Sequence, residues 1–125
     1  MSIDFYQKLE EITEKDRRYQ ADAYEFVMQA IGFTQKKLNR EGHISGKELL
    51  EGIREFGLQQ YGPLTKAVFE RWGIKTTDDF GKIVFNMVEN GLVRKTETDS
   101  QDDFKDVYHF HEALDIFKVK DNRLS

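Results

Sequence analysis

The sequence predicts a mostly α-helical α+β domain, and three features of its pattern carry that reading. Apolar residues recur at three- and four-residue intervals as far as Val88, which marks helices that each bury one face. Gly42, Gly62-Pro63, Gly73 and Gly91 punctuate that pattern and divide it into separate helices. Beyond Gly91 the period falls to two, in two short runs joined by a Thr, Asp, Ser and Gln loop, which predicts a β-hairpin.

Ser2 or Asp4 is placed to cap a first helix through about Lys15, with Phe5, Leu9 and Ile12 on one face. Glu14 to Arg18 is a charged junction. A longer helix is predicted from about Tyr19 to Leu38, its buried stripe being Ala23, Phe26, Val27, Ala30, Ile31, Thr34 and Leu38, ended by Glu41-Gly42. Ser45 with Glu48 three residues later forms a capping box, and the helix it opens buries Leu49, Leu50, Ile53 and Phe56 before Tyr61-Gly62. Pro63, the only proline, suits the first position of the next helix, which carries Leu64, Ala67, Val68 and Trp72 and stops at Gly73. Thr76 or Thr77 caps a helix with Phe80, Ile83, Val84, Met87 and Val88 on its face, and Asn90-Gly91 ends it in a left-handed turn. Leu92 to Thr96 and Phe104 to Phe110 are the two strands. His111 to Phe117 offers a last helical turn or two, and the final VKDNRLS is a polar tail.

At 125 residues this is one domain's worth of chain, with N-terminal helices over 1–40, a core over 43–117 and a tail over 118–125. An aromatic fraction of 13% suits a small core, because each ring buries a large area. The absence of cysteine excludes disulfides, thiolate metal sites and cysteine nucleophiles. The opening MSIDFYQKLEEI has no signal-peptide pattern, and no apolar run approaches the ~20 residues that span a bilayer. The expectation is a cytoplasmic protein with no membrane partner. Its net charge of −4 is concentrated: from Glu97 to Asp106 there are five acids (Glu97, Asp99, Asp102, Asp103, Asp106) against Lys105 alone. The remainder of the chain is close to neutral, which gives bulk nucleic-acid affinity little to build on.

From His43 onward the pattern resembles winged helix-turn-helix proteins. HISGKELLEGI is similar to the start of their second helix, and FGKIVFNMVENGLVR is similar to their recognition helix and its exit into a β-hairpin wing. Gln60 to Lys75 departs from that pattern, because it inserts a helix where a tight turn would stand. AYEFVMQAIGFTQ, HISGKELLEGIREFGLQQYGPL, WGIKTTDDFGKIVFNMVENGLVRKTETDS and DFKDVYHF together resemble an uncharacterised family of small proteins of planctomycetes, verrucomicrobia and related bacteria. That resemblance covers nearly all of the chain after Tyr19 and implies no activity.

A DNA-reading role for the predicted recognition helix would use Asp78, Asp79, Lys82, Asn86, Glu89 and Asn90, with Asn86 suited to adenine and Lys82 to guanine or phosphate. Asp78 and Asp79 oppose it, since they repel phosphate and instead favour the positive end of their own helix. Lys36, Lys37 and Arg40, and Lys15, Arg17 and Arg18, are basic clusters at helix ends, able to meet phosphate or an acidic surface. His109 and His111 would share one face of a strand, a weak metal-binding pattern beside the simpler reading of surface histidines. Asp99, Asp102 and Asp103 lack the glycine and terminal glutamate of a calcium loop. No phosphate-binding glycine loop, nucleophile elbow or zinc-protease motif occurs, so no catalytic residue or cofactor is expected. Tyr61, Phe69, Trp72 and Phe85 exceed what one face per helix needs and mark either core or an interface. The leading expectation is a non-enzymatic interaction module, binding a protein partner or a second copy through its acidic wing and aromatic patches. The alternative is a DNA-binding regulator, followed by a metal-binding protein or enzyme.

Overall fold

A computed structural model of the chain describes residues 3–94 and 101–115. The described residues form α1 (Ile3–Lys15), α2 (Ala21–Leu38), α3 (Gly46–Tyr61), α4 (Thr65–Arg71), α5 (Thr77–Glu89) and a single-turn α6 (Phe110–Ala113). Short 3-10 turns cover Gly62–Leu64 and Gln101–Phe104. The expected capping box at α3 is present: the Glu48 N–H donates to Ser45 Oγ at 3.0 Å, and the Ser45 N–H donates to Glu48 Oε1 at 2.8 Å.

Three helices end in the same way, with one left-handed residue and two reversed hydrogen bonds. After α5 that residue is Gly91, with φ of 73°, and the Leu92 N–H reaches back to the Met87 carbonyl at 2.8 Å. After α4 it is Gly73, with φ of 94°. A side chain there would be strained twice over, because an added Cβ would lie 2.1 Å from the Arg18 carbonyl oxygen. Helix α2 ends earlier than Glu41-Gly42, at Asn39, whose φ is 53° and which tolerates the left-handed region better than most residues.

The core is an aromatic chain across α2, α3, α4 and α5. The Phe26 ring lies 5.3 Å from Phe69 and 5.4 Å from both Phe56 and Trp72, and Phe69 passes the packing on to Phe80 at 5.2 Å and Phe110 at 5.8 Å. Helices α2 and α3 approach so closely at Gly52 that an added Cβ would sit 1.7 Å from Thr34 Oγ1. The buried Thr34 hydroxyl donates to the Ala30 carbonyl at 2.7 Å, so it costs the core no unsatisfied group.

The expected β-hairpin wing is overturned: among the described residues there is no strand and the fold is all helical. Leu92 and Val93 belong to the turn that closes α5, and Val93 is buried. The second predicted strand, Phe104 to Phe110, is broken at Asp106 by a φ of 49°. Its N–H groups serve no ladder. The Asp106 N–H donates to Asp78 Oδ1 at 3.0 Å and the Val107 N–H to Thr77 Oγ1 at 3.1 Å, both on α5. The α+β winged-helix class therefore gives way to a helical one. Lys95 to Ser100, including Glu97 and Asp99, lie outside the described residues. Among the described residues no helix is long and apolar enough to cross a membrane.

Gly52→Ala is expected to lower stability by about 1–3 kcal/mol through overpacking against Thr34. In urea unfolding the midpoint should fall without a change in slope. Adding Thr34→Ala should recover part of that loss, making the two substitutions non-additive.

Candidate functional site

Helix α5 is held from both sides, so little of it remains to read another molecule. Thr77, Phe80, Gly81, Ile83, Val84 and Met87 are buried. On its polar side, Asp79 Oδ2 accepts the N–H groups of Lys75 at 2.8 Å and Thr76 at 3.2 Å, capping the helix. Its other oxygen accepts the buried Tyr19 hydroxyl at 2.5 Å. Asn86 donates through Nδ2 to Asp16 Oδ2 at 2.9 Å and to the Tyr24 hydroxyl oxygen at 3.0 Å, tying α5 to the α1–α2 junction. Arg18 grips the same Asp16 carboxylate with Nε at 2.9 Å and Nη2 at 2.6 Å. That guanidinium, helped by Asn86, holds the Asp16 carboxyl far below the usual carboxylate range, against the opposing effect of burial. Burial pushes the Tyr19 hydroxyl up, reinforced by the Asp79 acceptor, and burial raises Tyr24 as well.

Above the N-terminus of α5 sits an acidic ridge. The turn Gln101–Phe104 inserts Phe104, 0% exposed, against α3 and α5. Two glycines make the slot. An added Cβ on Gly46 would meet Phe104 Cε2 at 3.0 Å, and one on Gly81 would meet Phe104 Cβ at 2.9 Å. Downstream, the Tyr108 hydroxyl donates to the Leu50 carbonyl at 2.7 Å and Phe110 is buried, so the segment is anchored along its length. Asp102 and Asp106 are exposed around this plug, Asp103 and Asp78 are half-buried, and Lys105 answers only Asp102, at 3.0 Å.

The basic cluster has a structural use. Lys37 pairs with Glu55, and Arg40 Nη1 lies 2.7 Å from Glu48 Oε1, so both strap α2 to α3. Lys36 is exposed on the last turn of α2, and Lys82 is half-buried on α5. His109, in extended backbone, precedes α6 and His111 lies within it. Their ring centroids are 6.2 Å apart, without the strand that was to set them on one face. Among the described residues no group of three or more His, Asp or Glu side chains is arranged to hold a metal ion. Of the four surplus aromatics, Phe69 and Trp72 are core, Tyr61 is half-buried, and Phe85 stands 50% exposed.

No family model, curated protein or solved structure matches the chain.

One group escaped the sequence reading: Asp22, Glu25 and Gln29 line a cleft with Phe26, Tyr61 and Trp72. The signal was present as i, i+3, i+7 spacing on α2, beside the buried stripe rather than on it.

Acid should loosen the Asp16 strut. An unfolded aspartate titrates near pH ~3.9 and the folded one lower. The stability this group contributes is therefore fully present above about pH 4 and is lost as pH falls. Thermal melts between about pH 2 and pH 7 should show a shallower acid limb for Asp16→Asn than for the wild type.

Proposed function

We propose that the chain is a non-enzymatic protein-interaction module whose acidic ridge, centred on Asp102, Asp103 and Asp106, docks on a basic surface of another protein. The observation that carries this reading is the anchoring of the ridge. Phe104 in its glycine slot, the Asp106 N–H on Asp78 and the Val107 N–H on Thr77 anchor the backbone that carries these three carboxylates to the core. An anchored segment loses less entropy on binding than a mobile tail and steers a cationic partner from a distance. The exposed Leu64, at 64%, and Phe85, at 50%, supply apolar surface of the kind that interfaces cover.

The DNA-binding alternative loses most of its candidates to internal partners. Asp78, Asp79 and Asn86 are engaged within the fold, and Lys37 and Arg40 are paired with carboxylates. Of the basic residues named from the sequence, Arg18 is paired with Asp16, and Lys15, Arg17, Lys36 and Lys82 are what remain for phosphate.

Fluorescence anisotropy with a short labelled oligolysine peptide tests the proposal. Binding should be micromolar and should weaken with salt. The triple variant Asp102→Asn/Asp103→Asn/Asp106→Asn should weaken it about threefold or more, from three surface charges of about 0.2–1 kcal/mol each. Asparagine suits the positive φ at Asp106, so the variant should still fold. A charge-matched control, Glu10→Gln/Glu11→Gln/Glu14→Gln on α1, should bind as the wild type does. Equal weakening in both variants, or micromolar binding of random duplex DNA at low salt, contradicts the proposal.

A further inference from the structure

One face of α5 stays open between its two supports. The buried residues of the helix fix the opposite face at Asp78, Lys82, Phe85 and Glu89, whose spacing of four, three and four residues makes one stripe. Phe85 is 50% exposed at its middle, Glu89 is exposed and Lys82 is half-buried. A single exposed ring is ordinary on a protein surface. The charges on either side of this one are not. Neither Lys82 nor Glu89 has a side-chain hydrogen bond or ion pair among the described residues, and the helix explains why. Asp78, four residues before Lys82, accepts the Asp106 N–H through Oδ1 at 3.0 Å. Glu89 has Phe85 and Asn86 one turn before it and Leu92 and Val93 after it, so no cation stands at helical pairing distance. Lys82 and Glu89 are themselves about 10 Å apart along the axis, at ~1.5 Å per residue, too far to meet.

From Asp78 the stripe runs acid, base, ring, acid, and the exposed Arg94 follows beyond the turn that closes the helix. Reversing that order turns every charge into its opposite. Such a stripe is complementary to an antiparallel copy of itself, the condition for a two-fold interface in which one patch meets the same patch. A partner surface of a single sign would instead be repelled by half of it. We infer that α5 packs antiparallel against α5 of a second copy of this chain, about a two-fold axis at Phe85. The two Phe85 rings meet at the axis, Lys82 of each copy reaches Glu89 of the other, and Arg94 of each lies toward Asp78 of the other. Symmetry makes each charge contact twice. One helix face is a small patch, at the low end of interfaces at below about 1,200 Å² in total, so the association is weak and concentration-dependent. The inference does not rest on the acidic ridge, whose Asp102, Asp103 and Asp106 take no part in the stripe.

Sedimentation velocity of the full chain from ~10 to ~1,000 μM at low salt reads the association by mass action. The wild type should move toward twice the monomer mass with a midpoint on the order of 100 μM, and added salt should raise that midpoint. Lys82→Glu and Glu89→Lys should each raise it about tenfold or more, because each sets like charges against one another at both contacts. An equimolar mixture of these two variants should associate as well as the wild type, since both contacts of the mixed pair again join opposite charges. Phe85→Ala should also raise the midpoint about tenfold. Its circular dichroism spectrum and its melting point at ~10 μM, where the chain is monomeric, should be retained. The triple ridge variant should associate as the wild type does, so failure here and failure of the ridge are read separately. A wild type that stays monomeric at the highest concentration, a single reversal that associates as the wild type does, or a mixture no better than its components overturns the inference.

Discussion

The insertion of Phe104 between α3 and α5 is the constraint on which the arrangement depends. Glycine in the middle of a helix costs about 0.5–1 kcal/mol relative to alanine, yet Gly81 lies inside α5 and Gly46 opens α3. Both are explained by the docked segment: an added Cβ at Gly46 would lie 2.9 Å from Asp103 Cβ and 3.0 Å from Phe104 Cε2, and one at Gly81 would lie 2.9 Å from Phe104 Cβ. Once the ring is seated, the backbone that follows lies over the first turn of α5. Asp106 and Val107 then find side-chain acceptors there instead of a strand. The same docking brings Tyr108 to the Leu50 carbonyl and Phe110 to Phe69 and Phe80. Local backbone, core and charged surface are thus consequences of one packing event.

A second constraint acts from the opposite side. The junction between α1 and α2 reaches α5 through Asp16, Tyr19 and Tyr24, and the polar groups of α5 answer it. A helix held in this way is rigid, and of its side chains Phe85 and Glu89 stay exposed. Its first-turn acids serve the helix end and the docked segment, and its asparagine bridges two partners. What is left for other molecules is peripheral: carboxylates around the Phe104 plug, and the apolar side chains of Leu64 and Phe85.

Much of the helical frame was legible in the chain because caps and stops are local. Ser45 with Glu48, Pro63, Gly73 and Gly91 act within a few residues, and the structure places helix boundaries beside each of them. The segment after Gly91 was misread because alternation is not unique to strands. Phe104, Tyr108 and Phe110 do fall at even spacing, but they point inward from a 3-10 turn, an extended stretch and a helical turn in succession. Nothing local signals this, since the slot for Phe104 is built from Gly46 and Gly81, distant in sequence. The fates of Asn86, Lys37 and Arg40 were hidden for the same reason. Their partners Asp16, Tyr24, Glu55 and Glu48 come from other helices, or from the turn before one.

The docked Phe104 is most directly tested by nuclear Overhauser contacts in the isotope-labelled full chain. The account predicts cross-peaks from the Phe104 ring to the α-protons of both Gly46 and Gly81, with helical chemical shifts over Phe110 to Ala113. Cross-strand contacts between Leu92–Arg94 and Lys105–Tyr108, without ring contacts to those glycines, would contradict it.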